Sequence, residues 1–185
     1  LYTSINNKYV YEPKMAIDYY DISVEQKSET IRSVVGMEGT ALAASEVFIF
    51  CLNPGLRVFD IVMSTEYGTT YNSFLLKGKE KTVLIECSHL SFFDRYVENI
   101  REVCDPSAID IMILNHTEPD HTGAAARLLE LNPNMEIYCS QAASIYIRNI
   151  TNRADLKLHV VKDGETLDIG GRTLEFRMAP FLHWP

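Results

Sequence analysis

Four of the six residues in His116-Thr117-Glu118-Pro119-Asp120-His121 carry an imidazole or a carboxylate. These are the side chains that bind divalent and trivalent metal ions. If residues 116 to 120 are extended, His116, Glu118 and Asp120 project from one side, because strand side chains alternate with period two. Pro119 biases Glu118 toward extended backbone, which supports that geometry. His121 then falls where the chain turns into a helix. Such a clamp would serve metal-assisted hydrolysis or redox chemistry, according to the metal it holds. Each residue taken singly has a plainer explanation: Asp120 as a helix cap, Glu118 as a solvated loop carboxylate. Two histidines and two carboxylates crowded at one strand end favour the metal.

The clamp needs rigid elements on both sides. It follows the apolar run Ile109-Asp110-Ile111-Met112-Ile113-Leu114, which predicts a buried strand over 109–115. It precedes a helical pattern over about 122–131. Upstream, residues 47–51, 56–63, 71–76 and 82–87 are strand candidates, divided by Asn53-Pro54-Gly55, Tyr67-Gly68 and Lys77-Gly78-Lys79. Residues 92–103 form an amphipathic pattern with Phe93, Tyr96, Val97 and Ile100 at helical spacing, the signature of a helix packed on a core. Downstream come a strand at 135–139, a helix at 142–149 and strands at 156–161, 165–169 and 172–178. Gly170-Gly171 between the last two signals a hairpin. Strands first and βα alternation later predict an α/β (α+β) protein whose sheets are covered by helices. Residues 1–36 have a different character, rich in Tyr, Lys, Glu and Ser with weak periodicity, and are expected to be an arm with a helix over 23–35. The domain itself is expected to span 37–185.

At 185 residues the chain can hold one sizeable core, and 46% hydrophobic with 23% charged residues is ordinary globular usage. The net charge of −8 argues against nucleic acid and anionic membranes as partners. No apolar run approaches the length that spans a bilayer. Cys51, Cys87, Cys104 and Cys139 are too far apart for a CxxC pair, and three of them adjoin apolar segments. Reduced, partly buried thiols and a cytoplasmic location are expected. Ser88 and Ser91 neighbour His89 without a nucleophile-elbow motif, and Gly-rich phosphate loops are absent. His89 and His159 have no ligand neighbours in sequence and are assigned to structure.

The pattern His116-x-Glu118-x-Asp120-His121, with Phe181-Leu182-His183-Trp184-Pro185 downstream, resembles the metallo-β-lactamase-like domain of flavodiiron proteins. These are oxygen and nitric oxide reductases, also called A-type flavoproteins, of the rubredoxin:oxygen oxidoreductase kind. The segments Gly68-Thr69-Thr70-Tyr71-Asn72-Ser73-Phe74-Leu75, Val161-Lys162-Asp163-Gly164 and Gly170-Gly171-Arg172-Thr173-Leu174 resemble the family too. The resemblance covers roughly residues 40 to 185. Hydrolases of the superfamily usually carry His where this chain has Glu118. Exchanging an imidazole for a carboxylate adds negative charge and hard oxygen donors, which favours iron over zinc.

The resemblance implies an αββα sandwich, of which this chain is expected to be the N-terminal part, incomplete at its C-terminus. His116, Glu118 and His183 would ligate one iron and Asp120 the other. His121 ligates the second iron in some members and is a near neighbour in others. The family's bridging Asp and a further His lie C-terminal to the His183 position, so the chain alone is expected to bind metal incompletely and to be inactive. The implied reaction is reduction of O₂ to water or of NO to N₂O at a di-iron centre. Electrons would come from FMN on a flavodoxin-like domain outside this chain, reduced by rubredoxin or another small carrier. Members are typically head-to-tail homodimers. Two other functions compete: a zinc-dependent hydrolase on the same fold, and a non-catalytic di-iron module that senses oxygen.

Overall fold

Apolar runs too short for helices dominate the first half of the domain, and they pair into one sheet. In a computed structural model of the chain, residues 46–53, 58–59, 63–64 and 69–179 are described. The arm at 1–36, with its expected helix, and His183 lie outside the described residues. Six strands form a mixed sheet in the order β1 (Glu46–Asn53), β4 (Thr69–Lys77), β5 (Thr82–Ile85), β6 (Ile111–Leu114), β7 (Glu136–Cys139) and β8 (Leu158–Val160). The pairs β1–β4 and β4–β5 are antiparallel. From β5 to β8 every pairing is parallel. Parallel neighbours need crossovers. These contain α1 (Phe93–Arg101) before β6, α2 (Pro119–Thr122) and α3 (Ala125–Leu131) before β7, and α4 (Gln141–Thr151) before β8.

The expected strand over 56–63 is not continuous. Val58–Phe59 (β2) and Met63–Ser64 (β3) pair antiparallel with each other, so the segment folds back on itself. A run of strand-forming residues interrupted only by Arg57 and Asp60 does not reveal such a reversal.

All four residues of β6 are buried, as a strand covered on both faces must be. Its alternation divides the core. Met112 and Leu114 join Leu84, Ile137 and Cys139 in a cluster with Tyr96, Ile100, Leu128 and Ile147 from the helices. Ile111 and Ile113 join Val83, Ile85 and Tyr138 in a second cluster on the other face, with Leu167, Ile169, Leu174 and Phe176. Those last residues belong to or flank the hairpin of β9 (Thr166–Asp168) and β10 (Thr173–Glu175). Helices thus cover one face of the sheet and a second, smaller sheet covers the other. On α1 the buried residues are Phe93, Tyr96, Val97 and Ile100, the stripe expected from their spacing.

Two glycines join the sheets. The β9–β10 turn holds Gly170 at φ +86°, and a side chain there would press on the Glu80 backbone nitrogen. At Gly78, in the β4–β5 turn, a Cβ would collide with the Ile169 carbonyl. The closeness lets Lys79 N–H donate to Gly170 O at 2.9 Å and Glu80 N–H to Ile169 O at 3.1 Å.

Candidate metal centre

Strand β6 ends at Leu114, and its C-terminal tip carries the ligand-rich hexapeptide. Glu118 is extended, with φ −65° and ψ 142°, as expected for a residue before proline. The extended run stops there. Pro119 opens α2, its fixed φ suiting the first helical position. His121 and Thr122 N–H both donate to Glu118 O at 2.9 Å, and the Thr122 hydroxyl donates to the same oxygen.

This helical turn corrects the period-two expectation for residues 116 to 120. His116 and Glu118 do converge, with Nε2 and Oε2 2.9 Å apart. The third residue to join them is His121 rather than Asp120, because the turn that begins at Pro119 swings Asp120 out of the alternation. His116, Glu118 and His121 each bring a ligand atom within 4.8 Å of the others. The two imidazole rings lie 4.9 Å apart at 61°. Asp120 stays beside the group: its Oδ2 is 3.4 Å from His121 Nε2, and that oxygen is buried without a hydrogen-bond partner among the described residues. Two imidazoles, an adjacent carboxylate and a further buried, unsatisfied carboxylate oxygen form a donor set that fits a metal cation.

Packing fixes the ring of His121. Tyr71 on β4, 2% exposed, meets it edge-on with centroids 5.4 Å apart and planes at 82°. Tyr71 in turn contacts His89 and Phe92. His89 Nδ1 accepts from Ser91 N–H at 3.0 Å and caps the short turn at 90–92. The other histidine assigned to structure, His159, lies on β8, stacks on Tyr138 with centroids 4.4 Å apart, and pairs with Glu165. The hydrogen bond with His159 and that from the Lys162 backbone N–H hold the Glu165 carboxyl below the usual range.

A carboxylate the motif did not announce sits next to the clamp. Glu86 follows β5 with φ +65°, and its Oε1 accepts from Asn115 N–H at 2.8 Å. The residue as a whole is half-buried, but its Oε2 is closed off from solvent and has no hydrogen-bond partner among the described residues. Burial pushes its carboxyl up to about 7, against the Asn115 hydrogen bonds and the charge of His116. A lone Glu directly after Val83-Leu84-Ile85 was the available sequence signal. Cys87 and Cys139 are buried thiols outside any disulfide, and burial raises Cys139 to about 11. They are packing residues.

With this geometry in place, comparison decides the family. Residues 69–185, more than half of the chain, match the family described as ODP family beta lactamase. The flavo-diiron protein FprA2 of Clostridium acetobutylicum is 57% identical over 135 residues, covering 72% of this chain and 34% of that protein. The chain belongs to the flavodiiron family. It corresponds to the family's metallo-β-lactamase-like domain. Another member, the anaerobic nitric oxide reductase flavorubredoxin of Vibrio vulnificus, is 41% identical over 126 residues, covering 65% of this chain and 25% of the relative. Among solved flavodiiron structures, the rubredoxin oxygen:oxidoreductase of Desulfovibrio gigas superposes with a TM-score of 0.73 at 30% identity, over 80% of this chain and 37% of that one. The chain therefore spans about a third or less of the length of these relatives. No helix among the described residues is long and apolar enough to cross a membrane.

Proposed function

We propose that this chain supplies the di-iron half of a flavodiiron oxidoreductase that reduces O₂ to water or NO to N₂O. The observation that carries the reading is the convergence of His116, Glu118 and His121, with a carboxylate where a zinc hydrolase would present an imidazole. His116, Glu118 and His183 would hold one iron, and Asp120, with His121 beside it, the second. Iron in that set supplies the reversible one-electron chemistry that redox-inert zinc lacks. Glu118 contributes a hard, anionic donor from an extended backbone that Pro119 keeps in place. Buried Tyr71 packs the back of His121 and excludes water from that side.

The rest of the reaction needs parts beyond this domain. Electrons come from FMN on another domain, refilled by rubredoxin or a similar carrier, and a head-to-tail homodimer brings donor and acceptor together. The domain spans residues 37–185, residues 1–36 form an arm, and the protein works in the cytoplasm. Metal analysis of the whole protein, followed by O₂ and NO consumption with a reduced donor, tests the reading. Two irons per chain and multi-turnover consumption are expected. Two zincs with esterase turnover would assign a hydrolase instead, and iron with O₂ binding but no turnover a sensor.

A further inference from the structure

Glu86 adopts a left-handed backbone, φ +65°, at the tip of the strand next to the ligand-bearing one. A non-glycine residue there is strained, and it persists only where its surroundings over-determine it. Three bonds do so. Glu86 N–H donates to Ile113 O at 2.8 Å, Tyr96 Oη–H donates to Glu86 O at 3.3 Å, and Glu86 Oε1 accepts from Asn115 N–H. Tyr96 is itself fully buried, and while its proton goes to Glu86 O its Oη accepts from the Ser73 hydroxyl 2.9 Å away, so its orientation is fixed.

The strain has a geometric result. The parallel register of β5 and β6 ends at Ile85 opposite Ile113. Asn115 N–H points to the same side as that of Ile113, where a continuing ladder would offer a backbone carbonyl. The inverted backbone of Glu86 takes the main chain away and swings its carboxyl into that place. The ladder is thus carried one bond further by a side chain, and the residue it captures directly precedes His116.

Resting on the metal-centre reading above, we propose that Glu86 is a positioning residue of that centre: its carboxyl clamps Asn115 N–H and so fixes where His116 leaves the sheet. The clamp needs an acceptor oxygen at that point. Glutamine retains it, and alanine does not. A hydrophobic side chain would leave a part-buried N–H unsatisfied beside a ligand.

Cobalt(II) titration of the whole protein, followed by visible absorption, tests the clamp alongside amide exchange of Asn115 in the unaltered protein. The Asn115 amide is expected to be protected from exchange. E86Q should bind Co(II) within about threefold of the parent with the same bands, whereas E86A should bind at least about tenfold more weakly with shifted bands, the usual loss for an outer-sphere partner. Parent-like affinity and bands in E86A, or equal impairment of E86Q and E86A, overturns the proposal. If E86A does not fold, E86Q and the Asn115 amide decide, and an amide exchanging at open-loop rates is equally fatal. A parent whole protein that takes up no Co(II) counts against the metal reading, and the amide then judges Glu86 alone.

Discussion

Tyr71 stands edge-on to His121, ring centroids 5.4 Å apart and planes at 82°, and so walls one side of that imidazole. An aromatic pair in this arrangement is worth about 0.5–1.5 kcal/mol beyond its burial. Y71F should therefore keep the His121 ring orientation close to the parent. Y71A should lose about 3–5 kcal/mol in denaturant unfolding, the range for emptying an aromatic site. A loss under about 1 kcal/mol in Y71A would show that the site is less tightly packed than the structure indicates.

His121 joins His116 and Glu118, while Asp120 stands 3.4 Å away from His121 Nε2. Metal titration of H121A should then show a fall in affinity of at least about tenfold, since loss of even an outer partner does that much. Unchanged affinity would return His121 to the role of neighbour.

Under the proposed function, Glu118 would set the metal. E118H should move occupancy from iron toward zinc in protein grown with both metals, read as the Fe:Zn ratio by elemental analysis. An unaltered ratio would mean that the preference is fixed elsewhere.

Glu86 gives a pH signature. Its carboxyl rises from an ordinary 4.5 to about 7 on folding, so between those values the folded metal-free protein holds more protons than the unfolded chain. Stability must then fall as pH rises through that window, with the penalty complete above about 7 and absent below about 4.5. A shift of this size corresponds to a few kcal/mol at most, on the order of 3. E86Q lacks the group, so the difference in unfolding free energy between E86Q and the parent should grow in favour of E86Q from pH 4.5 to 7. A flat difference across the window would contradict the burial of the carboxyl.

The two sheets should separate in energy at Gly170. G170A must place a Cβ against the Glu80 nitrogen at φ +86°, and a loss of about 1–3 kcal/mol is expected in thermal or denaturant unfolding. A neutral G170A would mean that the hairpin can shift without disturbing the β4–β5 turn.

Local patterns made much of this legible before any fold was known. The stripe of Phe93, Tyr96, Val97 and Ile100 gave α1, and the apolar run to Leu114 gave the strand beneath the clamp. Gly170-Gly171 marked its hairpin. What escaped depended on direction rather than type. Pro119 favours extension at Glu118, as the structure has it, but the same ring starts a helix one residue later and so trades Asp120 for His121. The reversal between Val58–Phe59 and Met63–Ser64 carries no glycine at its centre to announce it. Glu86 was invisible for another reason: its partner, Asn115, is 29 residues away, and no local rule pairs them.

That separation in sequence has a kinetic consequence. Ile85 meets Ile113, and Ile113 meets Tyr138, only after a crossover of some two dozen residues has closed on each side. Non-local parallel pairings of this kind form late, because loop closure must come before any contact rewards it. The tip of β6 therefore acquires its shape near the end of folding. A nascent or partly folded chain presents His116, Glu118 and His121 without their convergence, so under the proposed function metal would load onto the finished domain.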